Sequence, residues 1–586
     1  MSTVSASLDR TGDRRLHVGW ALAIGALVYL GIAAAMYAHV LSLSITHGTT
    51  CACSDTSLFA WFFEWPLVAL SHGHNPFYSS AMFHPRGINL LSNTSVTSWS
   101  FLLLPVTAIF GPIASLNVAL LLAPAVTGTV TMWVALRWVE SRLAAFVAGA
   151  LYAFSPLVLF QAAGSHLMVT FLAVPPLVLA CLDELFWRRR RPPLSVGAAL
   201  GALLVVQFFS GTELLVILLV TTAACLAMLL VVSSFNDRAA TIEAVRSGAP
   251  GVGVAAAICL VVLAVPAWYA LEGPGHYVGA VWPNISPAQA SLRSFVIAVP
   301  GSILWWVPHW GRFMRPTYLG PLLIATLVAG VALFRLDRRL RALVAMTAVV
   351  AWLALGERYS FAAWHYLRHL VVLENVMNER FAALLFLPAG LGLALVLDDV
   401  RRWRKGVAGA AIAVVIGAAC VTPFVLNATR GLPYSASRVW EPLWYTRNAD
   451  ALSPREVILG FPFFNTSADL LAVQALHSMH YSIVGGTGPE WIDARQGAQE
   501  PGYRVIEAIS STAVRPVLGT QSTPAERVAL RDALAGWGVT LIVLPVNRGP
   551  NTSVVARPPA ELKAWLSTVL GPPRLADAAW VWRVSR

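Results

Sequence analysis

Eleven apolar segments predict membrane-spanning helices and occupy most of the first 430 residues. A helix needs roughly 20 predominantly apolar residues to cross the hydrocarbon core of a bilayer. Over the whole chain 57% of the residues are hydrophobic and only 12% are charged, well below the usual share of charged residues in a soluble domain. The sequence therefore predicts an α-helical polytopic membrane protein. The segments are about 17–43, 115–136, 143–162, 167–186, 193–210, 213–233, 249–271, 317–334, 342–356, 379–397 and 406–427.

The basic residues predict how these helices are oriented. The formal net charge is +12, but the arginines stand in short clusters between apolar segments, as topology signals do, and not in a nucleic-acid-binding surface. With eleven spans and a cytoplasmic N-terminus, every cluster falls on the cytoplasmic side. The clusters thus predict a multi-pass membrane protein with a cytoplasmic N-terminus and an outer C-terminal region. The clusters are 10–15, 137–142, 188–191, 238–246, 335–341 and 401–405.

Two shorter apolar segments, 98–111 and 293–309, do not fit this alternation as spans, so we expect them to lie along the outer face as interfacial or re-entrant helices. The predicted layout is a cytoplasmic N-terminus (1–16), a transmembrane domain (17–427) with outer loops 44–114, 272–316 and 357–378, and a separate outer domain (428–586).

The C-terminal 159 residues, from 428 to 586, carry the pattern of an α/β domain rather than of further spans. Short runs rich in β-branched and aromatic residues occur at 457–461, 481–484, 539–544 and 580–584, and helical patterns lie between them at 524–536 and 559–569. This alternation predicts a small α/β domain on the outer side.

Acidic residues on the predicted outer side are few, and Asp55 stands out among them. It begins an aromatic-rich stretch that predicts a helix lying at the membrane interface. A carboxylate at this boundary could accept a proton from a sugar hydroxyl, which is general-base chemistry. The alternative is a purely structural role as a helix cap, for which Ser54, Asp55 and Thr56 are all suitable types.

The same outer loop contains His74 and Arg86, close to two further histidines. No metal-ligand spacing is recognisable there, and we favour a folded loop in which Arg86 could contact phosphate. Cys51 and Cys53 are too close for a zinc site, and a disulfide between them would be strained. The sequence predicts no metal site and leaves open whether a divalent cation takes part as a cofactor.

Four further residues are candidates at the outer ends of predicted spans. Glu213 is an acid at membrane depth, which is costly without a partner, although it could simply balance a helix dipole. Arg380 could bind a lipid phosphate, or pair with Glu379 or another nearby acid. His166 lies in a short outer turn, in the same compartment as Asp55, although a lone histidine there is more often a surface or packing residue.

Several of these stretches together resemble the polytopic GT-C glycosyltransferases, in particular actinobacterial-type members. The resemblance rests on Ser54-Asp55-Thr56 with Trp61 and Trp65, followed by the stretches 72–77, 85–90, 141–156 and 378–381, and it covers most of residues 17–427 in layout. The family takes sugars from polyprenyl-phosphate carriers at the outer face of the membrane.

The resemblance implies a membrane glycosyltransferase that transfers a sugar from a polyprenyl-phosphate carrier to a cell-envelope glycan or glycolipid, with inversion. Asp55 would be the general base, Arg380 would stabilise the leaving phosphate, and the tail would help bind the acceptor. Many relatives have a second acid beside the first, whereas Ser54 stands there in this chain, so we favour Glu213 as the supporting acid. The alternatives are a flippase of lipid-linked saccharides and a non-catalytic scaffold of the same fold.

Overall fold

Long apolar helices make up most of the first 431 residues. The computed structural model describes residues 2–51, 54–92, 95–276, 290–297, 315–334, 337–357, 359–370, 373–404, 406–486, 501–511, 521–547, 549 and 556–584. The helices up to residue 272 are α1 (Ser2–Met36), α2 (Ala38–Leu43), α3 (Ser54–Ser71), α4 (Thr97–Leu102), α5 (Leu104–Phe110), α6 (Pro112–Ala135), α7 (Arg142–Ala153), α8 (Pro156–Ala163), α9 (Leu167–Thr170), α10 (Val174–Asp183), α11 (Pro193–Ser210), α12 (Thr212–Asn236) and α13 (Arg238–Glu272).

The remaining helices complete the bundle and the C-terminal region. They are α14 (Pro321–Leu333), α15 (Arg338–Ala354), α16 (Trp364–Leu367), α17 (Ala382–Trp403), α18 (Val407–Gly431), α19 (Leu443–Asn448), α20 (Phe463–Leu476), α21 (Pro501–Ser510), α22 (Pro524–Gly536) and α23 (Pro559–Leu570). A π-helical turn (Glu184–Arg188) extends α10, and a 3₁₀ turn (Asn378–Phe381) precedes α17.

The predicted polytopic helical fold is confirmed. Among the described residues, eight helices are long and apolar enough to cross a membrane, and a ninth results if α7 and α8, which are bent by 44°, count as one span. Pro156 begins α8 and explains this break, since proline cannot donate a backbone hydrogen bond. The other two predicted spans are also helical, but α14 and α15 have 13 and 17 residues and fall short of an 18-residue span.

Polar contacts sort the helix ends into two sets. At one end, Arg137 and Arg188 both contact Glu184, at 2.7 and 3.9 Å, and Arg402 lies 3.7 Å from Glu140, so the clusters 137–142, 188–191 and 401–405 lie together there. At the other end, the hydroxyls of Ser98 and Ser210 lie 2.7 Å apart, within the region of the first long loop. This is the alternation that the arginine clusters predict, while the assignment of one end to the cytoplasm stays a prediction.

Helix α3 is a core element, which corrects the expectation of a helix lying at the interface. Trp61, Phe62 and Phe63 are fully buried, because α3 packs against α4, α5 and α6 and is covered by α20 of the C-terminal region. The indole Nε1–H of Trp61 donates to Gln474 Oε1 at 2.7 Å. The apolar and aromatic residues of α3 suit a helix at the membrane interface, but in the structure other helices of the protein cover them.

The apolar segment 98–111 forms two short helices, α4 and α5, neither of which is long enough to span. Leu102, Ile109 and Phe110 are exposed, as suits side chains that face lipid at the rim of the bundle. Of the predicted re-entrant segment 293–309, the structure describes only 293–297, which begin within a 3₁₀ turn (Leu292–Phe295). Most of loop 272–316 lies outside the described residues.

The C-terminal region contains the predicted sheet. The strands are β1 (Gly48–Thr49), β2 (Tyr78–Ser79), β3 (Ile88–Asn89), β4 (Ser437–Arg438), β5 (Val457–Gly460), β6 (Ser482–Ile483), β7 (Leu541–Pro545), β8 (Arg574–Ala576) and β9 (Ala579–Arg583). Five of these strands form the C-terminal sheet, in the order β6-β5-β7-β9-β8. Strand β5 is parallel to β6 and β7, and β9 is antiparallel to β7 and β8. The pairing of β1 with β4 joins the first loop to the start of this region.

Gln474 is the polar link between α3 and the C-terminal region. Its amide oxygen accepts from Trp61, and its Nε2 donates to the carbonyls of Ala81 and Tyr481 at 2.8 and 2.6 Å. Gln474→Ala leaves these buried groups unpaired, so we expect a loss of about 2–4 kcal/mol in unfolding free energy. Thermal unfolding of the purified protein measures this loss. Gln521→Ala, the same change at an exposed position, serves as the control; equal melting temperatures for the two variants would contradict the proposed link.

Candidate functional site

Asp55 and His166 meet at the end of the bundle that carries the first long loop. Asp55 lies in the first turn of α3, and its Oδ2 is 2.6 Å from Nε2 of His166, which precedes α9. The turn before His166 is fixed by Ser165, whose φ of 62° is left-handed. The hydroxyls of Thr50 and Thr56 hydrogen-bond to Ser165 Oγ at 3.1 and 2.9 Å, which locks this turn to the start of α3.

Both ring nitrogens of His166 are engaged, because Nδ1 contacts the side-chain amide of Gln161. If the amide oxygen of Gln161 faces Nδ1, it accepts a hydrogen bond from an imidazolium ring that donates from both nitrogens. If the amide is rotated, its NH₂ group donates to Nδ1 of a neutral ring. In both arrangements Nε2–H points at Asp55. His166 therefore holds the carboxylate and has no free nitrogen for a substrate.

The carboxylate of Asp55 keeps one oxygen available. Its side chain is 44% exposed, and Oδ1 accepts no hydrogen bond within the part of the chain that the structure describes. Desolvation raises the pKa of Asp55, but the hydrogen bond from His166 and the positive charges of His166 and Arg380 outweigh it, so the pKa lies below its usual value. Asp55 is thus an ionised carboxylate at neutral pH.

Glu213 and Arg380 form a second, largely buried pair. Their side chains are 14% and 11% exposed, and Arg380 Nη1 contacts Glu213 Oε2. Glu213 Oε1 also accepts the backbone N–H of Met377 at 3.0 Å, so this acid ties the turn before α17 to the start of α12. The partner of Arg380 is therefore Glu213 and not its neighbour Glu379. Because its charge lowers the pKa of Asp55, Arg380 belongs to the same region.

Arg380 retains one unused donor. Its Nε is buried and finds no hydrogen-bond partner among the described residues. A buried donor without a partner is costly, and an anion such as phosphate would satisfy it. Glu379 lies beside the same Glu213–Arg380 pair and is half-buried. The structure thus brings together Asp55, His166, Glu213, Arg380 and Glu379 from the predicted set.

His74 and Arg86 are placed elsewhere. His74 follows the far end of α3, about 24 Å from its first turn at 1.5 Å per residue. Both residues are exposed in a loop that contacts the end of α13, where Asn75 Nδ2 donates to Tyr269 OH at 3.0 Å, and the sheet, where the His84 N–H donates to the Ile483 carbonyl at 3.0 Å. Within the described ranges no contact joins them to Asp55.

Glu64, another acid of α3, is not part of this site. It is buried, and burial raises its pKa to about 7. Nine residues separate it from Asp55, which at 3.6 residues per turn places the two acids on opposite faces of the helix. Only Asp55 of these two is held by His166.

No metal site is formed by the described residues, which contain no group of three or more His, Cys, Asp or Glu that could hold an ion. Cys51 is disulfide-bonded, and Cys53, to which the expectation of a strained bridge refers, lies outside the described residues.

Gln161 and the Ser165 hydroxyl network are parts of the site that sequence reasoning missed. Gln161 lies in a predicted span, where a polar residue is a signal for an interior partner, but its orientation towards His166 depends on the break between α8 and α9. The backbone N–H of Met377 carries no sequence signal at all.

No protein-family model and no curated protein matches this sequence. Among solved structures, the cryo-EM structure of the arabinofuranosyltransferase AftD from Mycobacteria is 16% identical, with a TM-score of 0.54, and the match covers 96% of this chain and 40% of that one. A variant of AftD gives a TM-score of 0.53 at 16% identity, covering 96% of this chain and 41% of that one. This chain therefore spans about two-fifths of the length of the AftD structures.

The archaeal oligosaccharyltransferase AglB from Archaeoglobus fulgidus, in complex with an inhibitory peptide and a dolichol-phosphate, is 12% identical. The match covers 91% of this chain and 70% of that one, with a TM-score of 0.47, which is too low to carry an argument. The likeness to AftD shows the fold: the chain has the polytopic GT-C fold that its sequence resemblance implies.

The Glu213–Arg380 pair should be strongly coupled in a double-mutant cycle. Glu213→Ala or Arg380→Ala alone leaves a buried charge uncompensated, and we expect each to lower the unfolding free energy by about 3–5 kcal/mol. The double variant should lose much less than the sum. The more exposed pair Arg368–Glu357, at 2.5 Å, is the control and should show a coupling of about 1 kcal/mol or less. Additive losses at Glu213 and Arg380 would exclude the buried pair.

Proposed function

We propose that this chain is a membrane glycosyltransferase that transfers a sugar from a polyprenyl-phosphate carrier to a cell-envelope glycan or glycolipid. The observation that carries this proposal is that Oδ1 of Asp55 is open and lies near Arg380, whose Nε has no hydrogen-bond partner among the described residues. The similarity of the fold to that of AftD supports it. A base for the acceptor hydroxyl and a cation for the leaving phosphate are the two groups that such a transfer requires.

In the proposed reaction Asp55 is the general base. The acceptor hydroxyl donates to Oδ1 of Asp55, its proton passes to that oxygen, and the hydroxyl oxygen attacks the anomeric carbon. The bond between this carbon and the phosphate oxygen breaks, and its electron pair leaves with the phosphate. Attack from the face opposite the leaving group inverts the anomeric configuration. The lowered pKa of Asp55 keeps the base ionised before the hydroxyl arrives.

Arg380 is assigned to the leaving phosphate and Glu213 to the positioning of Arg380. The Nε of Arg380 is the unused donor, while Glu213 holds Nη1 and so fixes the plane of the guanidinium. Charge on the leaving group grows in the transition state, so a donor fixed in advance stabilises the transition state more than the ground state. His166 orients Asp55, and Gln161 orients His166. Glu379, beside Arg380, is assigned to substrate contact.

We assign the substrates to different parts of the chain. Residues 17–427 would bind the donor in the bilayer, and the region 428–586 would help bind the acceptor, since α20 covers the helix that carries Asp55. His74 and Arg86 lie between α13 and the sheet, a position that suits contact with an extended acceptor. The arginine clusters favour a cytoplasmic N-terminus and an outer C-terminal region in a bacterial plasma membrane.

Asp55→Asn tests the assignment of the base. The amide cannot accept the proton, so we expect transfer to fall by about 10²–10⁴-fold while binding of the lipid carrier is retained. The assay follows release of polyprenyl phosphate from a panel of labelled polyprenyl-phosphate sugars. Asp532→Asn, an exposed acid of α22, is the matched control.

Three outcomes would separate the alternatives to this function. Unchanged transfer in Asp55→Asn would exclude Asp55 as the base. Movement of lipid across liposomes without cleavage of the sugar–phosphate bond would indicate a flippase. Absence of transfer in the unmodified chain across the whole panel, with carrier binding intact, would favour a non-catalytic scaffold.

The pH dependence of transfer should depend on His166. The hydrogen bond and the charge of His166 lower the pKa of Asp55. His166→Gln removes the charge, so desolvation, which raises the pKa, is opposed mainly by the charge of Arg380. The carboxylate then protonates at higher pH, and the acid limb of the kcat/KM profile should shift upward. His480→Gln, an exposed position in the C-terminal region, should leave the profile unchanged. A downward shift or no shift in His166→Gln would exclude this role.

A further inference from the structure

A partly open cavity of about 150 Å³ lies between helices of the bundle, apart from Asp55. Its walls come from α10, α12, α15 and α17 and are almost entirely apolar. Polar side chains occur mainly at one end, where Asp183 and Arg339 meet Trp138. Representative wall residues are Val178, Leu218, Leu226, Met346 and Leu384.

The cavity is long and narrow. Along α12 it extends from Leu218 to Leu229, and along α15 from Arg339 to Val350, which in each helix is about 16 Å at 1.5 Å per residue. This is roughly half of the thickness of a bilayer's hydrocarbon core. One end lies a helical turn beyond Arg380, at Leu384, and the other lies at Arg339, on the side of the basic clusters.

Arg339 is an unpaired cation at this second end. Its guanidinium carbon stands 5.9 Å from the centre of the Trp138 ring, but within the described part of the chain it forms no ion pair. Its Nε is buried and has no hydrogen-bond partner among those residues. The neighbouring Asp183 is already engaged, since it accepts from Trp138 Nε1 at 3.0 Å and lies 3.6 Å from Arg137.

We propose that this cavity binds a lipid with a phosphate head group, the phosphate on Arg339 and one hydrocarbon chain in the cavity. A phosphate satisfies the buried Nε donor and balances the unpaired charge, and a hydrocarbon chain matches the apolar walls. At the other end, Arg380 is neutralised by Glu213 and its remaining donor is assigned to the leaving phosphate of the proposed reaction, so the head group of this second lipid is placed at Arg339. The site therefore takes lipid from the leaflet opposite Asp55 and is distinct from the proposed donor site.

A lipid in this cavity would also support the helices that carry the Glu213–Arg380 pair. Its chain would fill the space between α12, which begins beside Glu213, and α17, which follows Arg380. A filled cavity keeps the van der Waals contacts that an empty one loses, so the lipid would brace the two helices that hold the Glu213–Arg380 pair.

Photolabelling of the full chain tests the proposal. The protein is placed in nanodiscs of phosphatidylcholine with a minor fraction of phosphatidic acid that carries a diazirine in one acyl chain, and labelled peptides are mapped by mass spectrometry. We expect label on α12 and α15. Arg339→Ala should lower it by about tenfold, as the loss of one charge-assisted hydrogen bond predicts. Met346→Trp, which fills the cavity, should lower it as well.

Two controls make the result decisive. Arg341→Ala removes the same charge from an exposed position of α15 and should retain the label, and diacylglycerol with the same diazirine chain should label weakly. Equal losses in the Arg339 and Arg341 variants would show general attraction to anionic lipid and overturn the proposal. If Met346→Trp lowers the photolabel but Arg339→Ala does not, the acyl chain enters the cavity without help from Arg339. That result would also overturn the proposal. Each variant is first shown to elute as the unmodified protein in size exclusion.

Discussion

The burial of α3 between the helix bundle and the C-terminal region is the constraint on which the rest of the site depends. Asp55 can be fixed within the first turn of a helix only if the helix itself does not move. Trp61, Phe62 and Phe63 are fully buried, and Gln474 supplies hydrogen bonds from the C-terminal side. The C-terminal region is thus part of the support of Asp55, even though its sheet is remote from that residue.

Charge balance shapes the site in a second way. One arginine stands close to three acids, and it is already paired with one of them, Glu213. His166 supplies a hydrogen bond to Asp55 that keeps the carboxylate ionised, so Arg380 does not have to pair with it. Because His166 holds Asp55 and Glu213 holds Arg380, one oxygen of Asp55 and the Nε of Arg380 both stay open on the same side of the membrane.

Much of the architecture could be predicted because membrane helices obey local rules. All eleven predicted segments are helical, since a chain in lipid must satisfy its backbone within each segment. The strands near 457, 481, 541 and 580 were also predictable from their β-branched and aromatic residues. Strand β8 was not predicted because it has only three residues and no alternating apolar pattern. Helices α20 and α21 were not predicted because their apolar residues serve packing contacts with other parts of the fold.

The site could be predicted only in part. Asp55, Glu213 and Arg380 stood out because charges are scarce and costly at membrane depth. Their partners did not, since the contact between Asp55 and His166 joins residues 111 positions apart and that between Glu213 and Arg380 joins residues 167 apart. For the same reason His74 and Arg86, which are near Asp55 in sequence, lie far from it along α3.

The sequence by itself determined that this chain is a polytopic helical protein, where its basic clusters lie and which charged residues are candidates for chemistry. These properties depend on local composition and helical length. Only the tertiary structure decided that α3 is buried, that Glu213 and not Glu379 holds Arg380, and that His166 and Gln161 hold Asp55. Those outcomes depend on which distant segments pack together, and helix packing is set by the summed shape of many side chains rather than by any one stretch of sequence.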